Sequence, residues 1–138
     1  MYYSIHESNN TFSNILTKGI LDDESNTIYR GLVKIKENAS NSNGYQKEDT
    51  LILNDKAKAD SIPNLEIDNN EVRCSHGASI GHLDKDKMFY LMSRGISKNE
   101  CIKIMIEAFL SEVTDNVKNK ILNNEILEII NSKIKNEY

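Results

Sequence analysis

Three side chains with the reach of metal or nucleophilic chemistry gather in one short stretch of the 138-residue chain: Cys74, His76 two residues on, and His82 six beyond that. A soft thiolate beside imidazoles is a donor set for zinc or iron. The same pair has the residue types of a thiolate nucleophile and its base. Each reading has a plain alternative. A closed tetrahedral site takes four ligands, the chain has no CxxC, and Cys101 falls on a helix face that reads as core. In a strand, residues i and i+2 share a face, so Cys74 and His76 are also what any two neighbours on a sheet surface would be. A thiol or metal enzyme, a metal site shared with a partner chain and a purely structural role all remain open on residue type and spacing. The sequence has no nucleophile elbow, phosphate-cradling loop or H-E-x-x-H helix.

The elements that must position these groups change character within the stretch. Up to about Leu83, apolar residues come in short knots such as Ile15-Leu16, Leu32 to Ile35 and Leu51 to Leu53, separated by Asn, Asp, Ser, Gly and Lys. Short β-prone runs bounded by turn formers predict an all-β half, sandwich or solenoid. In TIYRGLVKI, alternation places Ile28, Arg30, Leu32 and Lys34 on one face, an imperfect period of two, and Gly31 marks a bulge or a close backbone approach. Glu37 to Asp49 is the strongest loop signal, with Asn43-Gly44 as the pair suited to positive φ. Pro63 pushes Ile62 toward extended backbone and excludes a helix there. Gly77 and Gly81 read as glycines of close packing or tight turning.

From Asp84 the pattern is helical. Asp84 is an N-cap, Met88, Leu91 and Met92 share a face, and Gly95 closes the helix from a left-handed conformation, with Arg94 at its negative end. Ser97 to Glu100 is a capping box for a second helix reaching Glu112 or Asp115, flanked by Ile96 and Cys101 as a hydrophobic staple. That helix presents Cys101, Met105, Ala108 and Phe109, with Ile102, Ile106 and Val113 beside them. A third helix covers Val117 to Lys135 through Ile121, Leu122, Ile126, Ile129, Ile130 and Ile134. Two regions follow: 1–83, β, and 84–138, helical. The run Met88, Phe89, Tyr90, Leu91, Met92 is more apolar surface than one buried stripe needs, so part of it faces a partner.

Composition narrows the classes. A net charge of −4 and a pI near 5.4 argue against a binder of nucleic-acid backbones, which needs a basic stripe. The acidity is local: residues 1–83 carry 8 Lys and Arg against 12 Asp and Glu, whereas residues 84–138 carry 9 of each. Two cysteines 27 positions apart make no disulfide framework and point to a reducing compartment. No apolar run reaches the roughly 20 residues of a membrane helix.

Three strings, Pro63 to Ile67, Val72 to Gly81 (VRCSHGASIG) and Met88 to Ser97 (MFYLMSRGIS), closely resemble the C-terminal region of the SufB/SufD family of iron–sulfur cluster assembly proteins. The likeness runs from about Ser13 to the end of the chain. It favours the SufD branch, whose members carry C-S-H-G-A-T-x-G, over the SufB branch, which has H-E-A where His76-Gly77-Ala78 stand. Gly77 thus occupies the place of a functional SufB glutamate, and Glu48 falls about where SufB carries its functional cysteine. The resemblance implies a right-handed parallel β-helix, 1–83, followed by a small α-helical C-terminal domain, 84–138. It implies a non-enzymatic scaffold that pairs with a SufB-like protein through the β-helix and docks the SufC ATPase on the helices.

By the same resemblance His76 is the candidate iron-binding or proton-handling group at a SufB–SufD interface, with Cys74 behind it. A transient iron–sulfur cluster or iron is handled there, and none is held stably by the chain alone. Contacts to SufC fall on Met88, Phe89, Met92, Arg94, Gly95, Ile96 and Ser97. The implied home is the cytoplasm or a plastid- or apicoplast-type stroma. A SufB-like or ancestral homodimeric scaffold is the alternative within the family. Family members are much longer, so this chain corresponds to their C-terminal part, and a β-helix ending in an open coil is expected to oligomerise or to be poorly soluble.

Overall fold

Asn and Asp at three tight corners set the path of the first half: Asn10, Asp23 and Asn41 have φ of 58°, 55° and 56°, a left-handed conformation these short polar side chains tolerate. Between the corners run β1 (Tyr2–His6), β2 (Phe12–Leu21), β3 (Asn26–Ile35), β4 (Asn43–Ile52), β5 (Lys58–Ile67) and β6 (Arg73–His82). In this computed structural model, which describes residues 1–133, consecutive strands alternate between two sheets of order β1-β3-β5 and β2-β4-β6. The pairings of β1 with β3, β2 with β4 and β3 with β5 are parallel: Phe12 stands beside Asn43 and Asn26 beside Lys58. A chain that returns in parallel by way of an opposing sheet is a parallel β-helix, and each sheet covers the other's inner face. A sandwich of antiparallel hairpins is excluded.

The turns stack coil on coil as well. Asn10 N–H donates to Ser40 O at 2.9 Å, and Asn41 N–H to Glu71 O at 2.8 Å. Two apolar clusters fill the interior near the ends of the strands. One is Val33, Ile35 and Ala39 with Ile15, Leu65, Val72 and Cys74 against it; the other is Leu21, Ile52 and Ala57 with Ala59. Between them the interior is polar, holding Gln46, Glu48 and Thr50. Pro63 sits within β5, an edge strand, where its missing N–H costs no sheet bond.

Several expectations change or are decided. Asn43 to Asp49 is strand, not loop, and the positive φ belongs to Asn41 rather than to Asn43-Gly44. The strand was hidden because its inward positions, Gly44, Gln46, Glu48 and Thr50, are polar or lack a side chain. In β3 the inner face is Tyr29, Gly31, Val33 and Ile35, an unbroken alternation, and Gly31 is a close approach rather than a bulge. Neither Gly77 nor Gly81 is tightly packed: a Cβ on Gly77 would meet only Tyr45 Oη, at 3.8 Å, and one on Gly81 nothing within 4 Å.

Residues from His82 onward form a second unit of three helices, α1 (Lys85–Ser93), α2 (Lys98–Thr114) and α3 (Lys120–Lys133). Asp84 accepts from the N–H groups of Asp86 and Lys87 at 3.0 Å, Gly95 has φ 89°, and of the capping box the serine half is present, Ser97 Oγ accepting from Glu100 N–H at 3.3 Å. Cys101, Ile102 and Ile106 are the buried apolar residues of α2, whereas Ala108 is exposed because the buried face follows Ile102 and Ile106. The third helix begins at Lys120, later than Val117, after a turn in which Val117 N–H donates to Thr114 O. Ile134 and Lys135 lie outside the described residues. No described helix is long and apolar enough to cross a membrane.

Candidate functional site

Strand β6 carries Cys74, His76 and His82 along the edge of its sheet. Extended backbone advances about 3.3 Å per residue, so His76 and His82 lie roughly 20 Å apart and cannot ligate one ion. Among the described residues no group of three or more His, Cys, Asp or Glu is arranged to hold a metal. Cys74, His76 and His82 are therefore not gathered as a three-ligand metal site among the described residues.

The thiol and the imidazole differ in environment. Cys74 is half-buried beside Gly44: a Cβ on that glycine would stand 3.3 Å from Cys74 Sγ, 3.4 Å from His6 Nε2 and 2.6 Å from Val33 Cγ1. Burial pushes the Cys74 thiol above its ordinary value, which keeps it protonated and poorly nucleophilic at neutral pH. His76, in contrast, is exposed and makes no hydrogen bond or ion pair to any described residue. It offers both ring nitrogens at an edge strand.

His6 escaped the sequence reading. It is buried, its Nδ1 2.6 Å from Thr11 Oγ1 and its Nε2 2.7 Å from Ser13 Oγ. Thr11 Oγ1 in turn lies 2.8 Å from Ser42 Oγ, so the imidazole ties the first turn to the next coil. Both ring nitrogens are engaged, which makes His6 a structural residue. No local pattern distinguished it, since a histidine in YYSIH matches no motif.

On the outer face of the β2-β4-β6 sheet, Asp49 accepts from Lys18 Nζ at 2.7 Å, from Ser79 Oγ at 2.7 Å and from Lys47 Nζ at 3.0 Å. Burial alone would raise this carboxyl, yet the bonds from Lys18, Ser79 and Lys47 hold it at about 2. It binds β6 to the two strands beneath.

In the helical unit α1 buries none of its residues and leaves Phe89 75%, Tyr90 58% and Met92 43% exposed. Arg94 lies over the Tyr90 ring, 5.2 Å from its centre, and donates to Tyr90 Oη at 3.2 Å. Met88 and Ile96 are half-buried, Gly95 turns the chain and Ser97 caps α2. A groove of about 350 Å³ lies along Asp86, Lys87, Tyr90, Leu91 and Met105. Amphipathic surface of this kind, aromatic with a cation beside it, is the composition of protein interfaces.

Residues 1–109 match the profile of the SUF system FeS cluster assembly SufBD core domain. The chain belongs to the SufBD family. It is similar to the iron–sulfur cluster assembly protein SufD of Bacillus subtilis, 36% identical over 88% of this chain and 28% of that protein. It is similar to SufD of Escherichia coli, 32% identical over 93% of this chain and 31% of that protein. The SufBD family protein ycf24 of Porphyra purpurea is 37% identical over 79% of this chain and 22% of that protein. The chain thus spans under a third of the length of these relatives, and identity does not separate the SufD branch from others.

Proposed function

We propose that this chain is a SufD-like portion of a scaffold on which iron–sulfur clusters are assembled. It acts without turnover chemistry of its own and receives iron or a nascent cluster as cargo rather than holding a resident metal. His76 carries the reading: it is the exposed imidazole on β6 with no partner among the described residues, so its lone pair is available to a group brought by another chain. Cys74 supports it as a half-buried neighbour, a secondary iron ligand once an arriving metal displaces its proton. The SufD branch is favoured by Gly77. Packing does not demand a glycine there, so its presence in CSHGASIG bears on lineage rather than on fold.

In this reading the β-helix, 1–83, pairs with a SufB-like chain, and the helical region, 84–138, docks a SufC-type ATPase through Met88, Phe89, Met92, Arg94, Gly95, Ile96 and Ser97. Uncovered Phe89, Tyr90 and Met92 are the support for that surface. The setting is the cytoplasm or a plastid-type stroma, where Cys74 and Cys101, both free, stay reduced. Co-expression with SufB-type and SufC-type subunits, followed by affinity purification on this chain, tests the reading. Recovery of both subunits is expected. Recovery of a second copy of this chain in place of the SufB-type subunit would transfer the assignment to a homodimeric scaffold.

A further inference from the structure

The polar layer inside the β-helix has more hydrogen-bond acceptors than the protein satisfies. Gln46 and Glu48 point inward from β4 and are 1% and 4% exposed, Thr50 follows on the same face, and Tyr29 faces them from β3. Thr50 Oγ1 donates to Glu48 Oε1, and Gln46 Nε2 donates to Asn64 O at 2.9 Å. What remains is unpaired: Gln46 Oε1, Glu48 Oε2 and Ser61 Oγ have no hydrogen-bond partner.

Gln46 Oε1 and Tyr29 Oη meet over one glycine, and the other two oxygens lie on the same inner faces. A Cβ on Gly31 would lie 2.6 Å from Tyr29 Oη and closer still to Gln46 Oε1, so both reach over the same glycine. Ser61 is paired with Tyr29 across β3 and β5, and Glu48 follows Gln46 on one strand face. Burial raises the Tyr29 phenol, Thr17 opposes that rise, and the charge of Glu48 adds to it, which places Glu48 and Tyr29 within electrostatic reach.

We infer that this chamber binds a single monovalent cation, sodium or potassium, coordinated by Glu48 Oε2, Gln46 Oε1 and the hydroxyls of Ser61 and Tyr29. The donor set is entirely oxygen, which suits a hard ion. It carries one formal negative charge, so a monovalent ion neutralises it whereas a divalent ion would leave a buried positive charge. The site is argued from the buried oxygens of β3, β4 and β5 and not from His76, so it does not rest on the SufD-like reading.

Thermal unfolding of the full chain in potassium, sodium or N-methylglucamine chloride at one ionic strength tests it. The ion raises Tm saturably by about 4 °C or more over the bulky cation, because only the folded chamber binds it. Glu48→Gln keeps the shape, removes the charge and loses that dependence; Ser61→Ala shifts it to higher ion concentration. Equal Tm in all three salts overturns the proposal. So does a Glu48→Gln variant that keeps the full salt response.

Discussion

Lys18 of β2 donates to Asp49 of β4 across 2.7 Å, and both side chains are nine-tenths withdrawn from solvent on the outside of the sheet. Ser79 of β6 completes the arrangement from the other side of Asp49. A carboxylate on the central strand therefore joins three coils at one level, and the last of them is the strand that carries His76.

The stability of the β-helix should follow that carboxylate at low pH. The folded value of about 2 lies below the ordinary 3.8, so the stabilisation is complete above pH 4 and is lost as pH falls through 2. The shift corresponds to roughly 2 kcal/mol. Denaturant unfolding between pH 2 and 5 should show this slope in the parent chain and not in Asp49→Asn. The variant should also lose about 3 kcal/mol near neutrality, because Lys18 remains buried without its carboxylate. An unchanged slope would show that Asp49 is solvated.

Glycines 44 and 77 should respond oppositely to alanine. A Cβ at Gly44 runs into Val33 Cγ1 at 2.6 Å within the apolar cluster, and overpacking of this kind costs about 1–3 kcal/mol. At Gly77 the nearest atom is 3.8 Å away, so Gly77→Ala should be neutral or stabilising by about 0.5 kcal/mol through the unfolded chain. Urea midpoints of the two variants decide the comparison. Gly77→Glu should fold equally well, since the position has room for a side chain.

In the helical unit, stability and docking should separate. Ile106 is 1% exposed, and Ile106→Ala should cost about 2–5 kcal/mol. Phe89→Ala should leave Tm unchanged, because three-quarters of that side chain is already in water, and should weaken retention of the SufC-type subunit in affinity purification. Undiminished retention would move the docking surface off α1.

The helical half was legible because its signals are local: Asp84, Ser97 and Gly95 announce their caps within three or four residues, and each does in the structure what its type dictates. The coils were not legible from periodicity. Their repeat is one of position and not of residue type: Thr17 stacks beside Glu48, Gly19 beside Thr50, Tyr29 beside Ser61 and Gly31 beside Pro63. Stacked residues need only compatible shape, so successive coils leave no repeating string. The polar interior also erased the alternation of β4, which is why YQKED read as a turn. Cys74 and His76 drew notice by residue type, but the burial that separates a quiet thiol from an open imidazole comes from Gly44 and Val33, some thirty and forty residues upstream.

The central claim is that His76 meets iron or a nascent cluster at an interface formed with another chain. Iron and acid-labile sulfide per complex, measured after reconstitution of the co-purified assembly, test it most directly in the parent chain and in His76→Ala. The subunits should assemble equally in both, since the His76 side chain has no partner among the described residues, and the variant should lose most of its cluster. Equal cluster content in the two complexes would contradict the claim and remove His76 from the site.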